Sequence, residues 1–186
     1  MNLTNQLLIA TPDMQDDRFY RAVIVICEHN EHGALGININ LPSDIQFDQI
    51  LESLQINENT FYLPDQPVYE GGPVNTQCGF ILHQTKKSTE LEFESSIQVS
   101  DSINLTTSKD IIRSIANNHF NLNWLMALGC ATWDAGQLEQ EVADHAWLIT
   151  AANNDLIFNH QADRWNKALA LIGVQAHQLS GDIGHA

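Results

Sequence analysis

The sequence predicts an α+β fold: one domain built on a mixed or largely antiparallel, curled sheet with several flanking helices. Three observations carry this expectation. Short apolar stretches follow one another closely, while helical periodicity recurs only at irregular intervals, so a regular βαβ alternation is a poor fit. Leu35, Ile37, Ile39 and Leu41 alternate with Gly36, Asn38 and Asn40, the two-residue period of a strand with one face buried. Trp124 to Ala131 is almost unbroken apolar sequence, as expected of a strand covered on both faces. The domain is expected to span residues 1–179, leaving 180–186 as a flexible tail.

The elements follow in order. Gln6 to Ala10 and Arg21 to Glu28 read as strands. The alternating segment 34–41 returns from the second of these through His29-Asn30-Glu31-His32-Gly33, a five-residue connection in which Gly33 supplies positive φ. Pro42-Ser43-Asp44 breaks the strand and precedes a helix with Phe47, Ile50, Leu51 and Leu54 on its apolar side. Residues 57–67 form a polar loop. Strands from Pro67 to Glu70 and from Cys78 to Gln84 flank a Gly71-Gly72-Pro73-Val74-Asn75 turn, and 86–96 reads as an exposed excursion. Ser96 to Ser102 and the segment around Ile103 to Leu105 are short strands. A helix follows Ser108, with Ile111, Ile112, Ile115 and Ala116 facing inward. After the 124–131 strand, Asp134 is placed to cap a helix, with Gln137 three residues on. Leu138 and Val142 would face inward, and Glu139, Glu141 and Asp144 would face water. Residues 146–151 and 156–158 read as strands. A last helix opens near Asp163, presents Trp165, Ala168, Leu169 and Ile172, and stops at Gly173.

Charge excludes one class of function. Eight Lys and Arg stand against 23 Asp and Glu, a formal net charge of −15. Nucleic-acid binding depends on cations that displace condensed counterions, and the longest basic run is Lys86-Lys87, so direct nucleic-acid binding is not expected. The N-terminus lacks a basic, then apolar, signal-like pattern, and no stretch approaches the roughly 18 apolar residues of a membrane span. Cys27, Cys78 and Cys130 are odd in number and far apart, which reads as a reduced, cytoplasmic chain without a disulfide framework. No CxxC or HxxxH spacing suggests a metal site, and no cofactor is expected.

Candidate chemistry concentrates in two turns. On a regular strand Cys27 and His29 would point the same way, although Cys27 also continues the inward face of Val23 and Val25 and suits a core thiol. Glu28-His29-Asn30 can supply a carboxylate, a group titrating near neutrality and an orienting amide. The same residues equally make a turn in which His29 bonds to loop backbone. Glu70-Gly71-Gly72-Pro73 lets backbone approach a ligand closely, yet it equally serves a tight turn and has no phosphate-loop lysine. Trp133 and the acidic helix from Gln137 to Glu141 could meet a partner or a cation, or simply expose a solvated face.

The stretches "LLIATPDMQDDRFYRAVIVICEHNEHGALGI", "GGPV" followed by "GFILH", "ALGCATWDAGQLEQEV", "HAWL", "ADRW" and "GHA" together resemble the AlgH/YqgE family of bacterial proteins over essentially the whole chain. The resemblance implies a compact α+β domain in the bacterial cytosol and no established reaction. The family name implies a genetic link to regulation, which the charge of this chain makes indirect. The family pattern falls on Glu28, His29, Asn30, Gly33 and Gly36, on Gly71, Gly72, Pro73, Gly79 and His83, and on Trp133, Gly136, Gln137, Leu138, Glu141 and Trp147. The chain departs from it at Asn38, Cys130, Thr132 and His145.

The expected function is a ligand- or partner-binding regulator. Glu28, His29, Asn30, Gly33, Glu70, Gly71, Gly72, Pro73, His83 and Trp133 are its candidate binding residues, and the two turns border one surface. The alternative is an enzyme, a hydrolase with His29 as general base and Glu28 or Glu70 as orienter. A small molecule or a protein is the expected partner, with no membrane and a monomeric or weakly oligomeric state.

Overall fold

In the computed structural model, residues 1–56, 66–85, 93–159 and 162–175 are described. Nine strands form one curled sheet in the order β6-β7-β5-β8-β3-β2-β1-β9, with β4 attached to β8. The strands are β1 (Gln6–Ala10), β2 (Val23–Asn30), β3 (Gly33–Asn38), β4 (Val68–Glu70), β5 (Val74–Gln84), β6 (Ser96–Ser100), β7 (Ile103–Thr106), β8 (Trp124–Asp134) and β9 (Trp147–Ala151). All neighbours are antiparallel except β4 and β8. β2 touches β6 although four strands lie between them in the order, so the sheet closes on itself as a half-barrel. The chain is therefore a single α+β domain, as its sequence predicts.

Strand alternation divides the apolar residues among three cores. Leu7, Ile9, Val23, Val25, Ile37, Leu82, Leu105 and Leu125 point into the half-barrel. The open side is filled by α4 (Asn154–Phe158) and α5 (Arg164–Leu171), through Leu156, Ile157, Trp165 and Leu169. On the outer face, Ile81, Met126 and Val68 pack under α1 (Phe47–Ser53) and α2 (Lys109–Ala116). Leu8, Ile24, Ile26, Ala131 and Trp133 form the third core under α3 (Gln137–Ala143).

β8 is the pivot. β5 runs along one edge of it, while β4 takes the first part of the other edge and β3 the last part. Between those partners, Gly129 has φ +74 and bends the strand. Gly71 and Gly72 lie directly against this bend: a Cβ on Gly71 would sit 2.2 Å from the Gly129 carbonyl oxygen, and one on Gly72 would sit 2.2 Å from the Cys130 carbonyl carbon. The Gly71 N–H donates to Leu128 O at 2.8 Å and its carbonyl accepts from Asn38 N–H at 2.9 Å, so the turn is sewn into the sheet.

Arg164 locks the helical cap. It is buried, donating through Nε to Leu156 O at 2.9 Å, through Nη2 to Ile157 O and Asn159 O at 3.3 Å, and through Nη1 to Ile39 O. Its guanidinium lies 5.0 Å from the Tyr69 ring centroid. The charge thus faces carbonyl dipoles at the end of α4 and an aromatic face.

Several expectations are corrected. The β2–β3 hairpin turns on Glu31-His32 alone, because β2 continues to Asn30 and β3 starts at Gly33. Residues 156–158, expected as a strand, belong to α4; Asn153 Oδ1 accepts from Leu156 N–H at 3.0 Å and caps that helix. The apolar triplet Leu156-Ile157-Phe158 is too short for its period to separate strand from helix. β5 begins at Val74 rather than Cys78, and β3 ends at Asn38 rather than 41. α3 starts after Gly136 at φ +78, not at Asp134, which is the last residue of β8. Most of the 57–67 loop and of the 86–96 excursion, and the 180–186 tail, lie outside the described residues.

Gly72→Ala is expected to destabilise the fold by about 3 kcal/mol or more, since φ +150 is a glycine conformation and the new Cβ meets backbone that cannot move aside. Urea unfolding midpoints measure this, and an unchanged midpoint would contradict the assignment.

Candidate functional site

The site grows from the junction of β8 and α3. β8 ends at Asp134, whose N–H donates to Gln137 Oε1 at 3.0 Å as the chain turns through Gly136. One helical turn later, Gln137 Nε2 donates to Glu141 Oε1 at 2.9 Å. The other oxygen of that carboxylate, Oε2, accepts from two indoles: Trp133 Nε1 at 2.9 Å and Trp147 Nε1 at 2.8 Å. The rings meet edge to face with centroids 6.3 Å apart, and Phe19 adds a second edge contact to Trp147 at 5.7 Å. Glu141, expected on a solvated helix face, is instead half-buried and fastens the end of β8 to the start of β9.

These residues floor a cleft of about 1090 Å³. Residues 11–19 form one wall, with Met14 and Phe19 turned toward the floor; Pro73 and Val74 close the far end, and the loop from Asp144 to Ala146 forms the remaining side. The wall is braced by Arg18, which donates to Asp16 from Nε at 2.9 Å and from Nη2 at 2.7 Å. The hydrogen bonds from the Arg18 side chain hold the Asp16 carboxyl below its ordinary value.

His29 performs a different task. Its ring is buried, its Nδ1 accepts from Leu3 N–H at 2.9 Å, and its Nε2 lies 3.0 Å from Glu139 Oε1. Nδ1 being an acceptor places the ring proton on Nε2, which donates to the carboxylate. The backbone N–H of His29 also donates to Thr4 Oγ1 at 3.0 Å. His29 thus straps the N-terminal segment and α3 onto β2. Glu139 is held below its ordinary value by its own backbone N–H and by His29.

The sheet explains why Cys27 and His29 do not cooperate. The register slips between Ile26 and Glu28, a bulge at Cys27. Cys27 therefore points into the half-barrel with Val23 and Val25, while His29 pairs with Ala34 on the outer face beside Leu3. Burial pushes the Cys27 thiol well above its ordinary value, with the nearby Cys130 adding to the effect.

Of the ten predicted site residues, the structure brings Pro73 and Trp133 into the cleft. Glu28, His29 and Asn30 do not line it. Asn30 Nδ2 donates to Glu28 Oε1 at 2.9 Å and its Oδ1 accepts from His32 N–H at 2.8 Å, closing the hairpin turn. Gly33, Gly71 and Gly72 admit the β8 backbone, since a Cβ on Gly33 would sit 2.1 Å from Trp133 O. Glu70 is exposed at the end of β4, its N–H donating to Leu41 O at 2.8 Å. His83 is buried near the other end of the sheet, with Nδ1 3.0 Å from Gln84 O, Nε2 2.8 Å from Thr106 Oγ1 and edge contacts to Phe93 and Phe120. Of the cleft residues outside the predicted set, Glu141 belongs to the acidic helix weighed as a possible partner contact, while Trp147 and the 11–19 wall were not anticipated. The i, i+4 spacing of Gln137 and Glu141 downstream of Trp133 was the available signal. Among the described residues, no cluster of His, Cys, Asp and Glu has the arrangement of a metal site.

Residues 7–177 match the model of the AlgH-like family. The chain belongs to that family. It is 46% identical to a UPF0301 protein of Thioalkalivibrio sulfidiphilus, over all of this chain and 97% of that relative. It is 45% identical to a UPF0301 protein of Vibrio vulnificus over the full length of both. The solution structure of the AlgH protein from Pseudomonas aeruginosa superposes with a TM-score of 0.77 at 36% identity, covering all of this chain and 97% of that one. A crystal structure from Corynebacterium diphtheriae, at 23% identity, shares the fold with a TM-score of 0.69, over 91% of this chain and 86% of that one. AlgH-like membership fits the positions of the site: the "TWDAGQLEQE" stretch that carries the resemblance contributes both Trp133 and Glu141.

Glu141→Leu leaves two indole N–H groups without their acceptor and is expected to cost about 2–4 kcal/mol, whereas Glu141→Gln, which keeps a carbonyl oxygen, costs roughly half as much. Urea unfolding and the two indole proton resonances check this. The His29–Glu139 strap gives a pH signature. Because the folded carboxyl is depressed, its contribution is present above the ordinary glutamate range and is lost as pH falls through the folded value. Glu139→Gln should therefore lower the unfolding midpoint at pH 7, and the gap to the parent protein should narrow and close only as pH falls below the ordinary glutamate range.

Proposed function

We propose that the protein is a ligand- or partner-binding regulator whose working surface is the cleft between residues 11–19, α3 and the start of β5. The observation supporting this reading is the cleft's construction. Its floor consists of two nearly buried indoles whose N–H groups are both held by Glu141, so the surface is preorganised before anything binds. Its volume, about 1090 Å³, lies just above the usual range for small-molecule sites and also suits a short chain segment. The 11–19 wall is a loop carried on rigid sheet, the usual arrangement for recognition.

Regulation through a bound partner, in the cytosol, agrees with a formal charge of −15, which opposes contact with DNA. An effect on gene expression would then be exerted through that partner. The hydrolase reading draws no support from the geometry. Leu3 N–H and Glu139 occupy both nitrogens of His29, leaving no lone pair to accept a substrate proton.

The test is chemical-shift mapping of the full chain against fractionated cell metabolites and peptide pools. At least one fraction should move the Trp133 and Trp147 indole signals together and leave those of Trp124 and Trp165 in place. Phe19→Ala should weaken that response about tenfold, from lost aromatic contact. Perturbations confined to the Glu28–Asn30 turn or to the His83 end of the sheet would relocate the site and overturn the reading.

A further inference from the structure

We propose that the cleft takes an extended peptide segment bearing arginine or lysine side chains. This rests on the cleft reading above and adds the chemistry of the occupant. Four carboxylates border the cleft, those of Asp13, Asp16, Glu141 and Asp144, against one guanidinium, that of Arg18, and the exposed His145. Arg18 is committed to Asp16 in a two-point contact. No other cation is paired with Asp13, Glu141 or Asp144 among the described residues.

Glu141 carries the argument furthest. Its hydrogen-bond partners are two indole N–H groups and an amide N–H, all neutral. They solvate the carboxylate without cancelling its charge, so a half-buried anion stands at the floor of an open cleft. Among the described residues its Oε1 accepts from Gln137 alone, which leaves a lone pair for another donor. A guanidinium or ammonium delivered there gains a charge-assisted hydrogen bond. The aromatic edges and faces of Phe19, Trp133 and Trp147 line the approach and favour an organic cation over a bare metal ion. The cleft, about 1090 Å³, has room for more than one side chain. Exposed Asp13, on the 11–19 wall, and exposed Asp144, after α3, add two more carboxylates from different segments. The overall charge of −15 steers a basic segment inward.

The experiment titrates the full chain with a blocked hexapeptide of alternating arginine and glycine, with the corresponding glutamate–glycine peptide, and with spermidine. The arginine peptide should move the Trp133 and Trp147 indole signals saturably, while the glutamate peptide should not. Spermidine should bind at least tenfold more weakly. Replacing the exposed rim carboxylates together, Asp13→Asn with Asp144→Asn, should weaken the arginine peptide about fivefold or more. Asp48→Asn with Glu52→Gln, which removes the same charge from α1, should change it less than about twofold. Equal weakening by the α1 pair would reduce the effect to net charge and overturn the proposal. So would spermidine binding as tightly as the peptide, or the absence of indole shifts with arginine peptide. If a neutral or acidic metabolite fraction moves the same indoles while the arginine peptide does not, the cleft stands and its cationic specificity falls.

Discussion

The fold depends on a close approach of backbone to backbone at the middle of β8. A single strand there changes partners along one edge, from parallel β4 to antiparallel β3, and this needs a bend at Gly129 with Gly71 and Gly72 laid against it. Side chains at any of these three positions would hold the chains apart, and the sheet would have to flatten or split. With the bend in place, the strands curl far enough for β2 and β6 to meet, and one face of the sheet encloses the inner core. The functional consequence follows from the same geometry. Past the bend, β8 carries Trp133 to the outer face, and Pro73 leaves the glycine pair at the opposite end of the cleft.

Three polar residues then tie this sheet to everything attached to it. Arg164 collects carbonyls from α4 and β3's continuation, His29 joins the N-terminal segment to α3, and Glu141 joins α3 to two strands. Each is buried or half-buried, and each meets several donors or acceptors on different elements, distant in sequence for His29 and for the Arg164–Ile39 contact, and close by for Glu141. Such hubs specify one arrangement of elements more sharply than apolar contact does, because a misplaced partner leaves an unsatisfied polar group. The helices here are short, between five and eight residues, and gain little from their own backbone bonds. Their positions are fixed by packing and by these hubs.

Much of the fold was legible because its signals are local. The continuous run in β8 and the one-sided Ile111-Ile112-Ile115 pattern each report the burial that the structure shows, whereas the alternation from Leu35 onward marks a strand but not its burial, since Gly36 and Asn38 are covered too and Leu41 is exposed. The one misreading of element type has a plain cause. Leu156-Ile157-Phe158 carries no period long enough to distinguish helix from strand, and its capping asparagine decides the matter. The site was less legible. Its key contact joins Trp133, Glu141 and Trp147, and nothing local says that an acidic side chain on a short helix will find two indoles. The Glu28-His29-Asn30 and Gly71-Gly72 turns stood out because they are polar or glycine-rich, and in the structure His29, Asn30 and both glycines also hold the sheet and its attachments together. Recognition by composition alone cannot separate residues that shape a site from residues that face it.

The bulge at Cys27 makes one strand belong to two different interiors. Before it, Val23 and Val25 answer to the half-barrel; after it, His29 answers to the outer layer and α3. The bulge works as a phase converter, decoupling the constraints on the two ends of β2. Any small apolar side chain can replace the thiol without disturbing the imidazole, and the outer layer can be remodelled without repacking the barrel. A change in strand length at this point would do the opposite, exchanging the two addresses at a stroke: imidazole into the inner core, and Glu28 under α3.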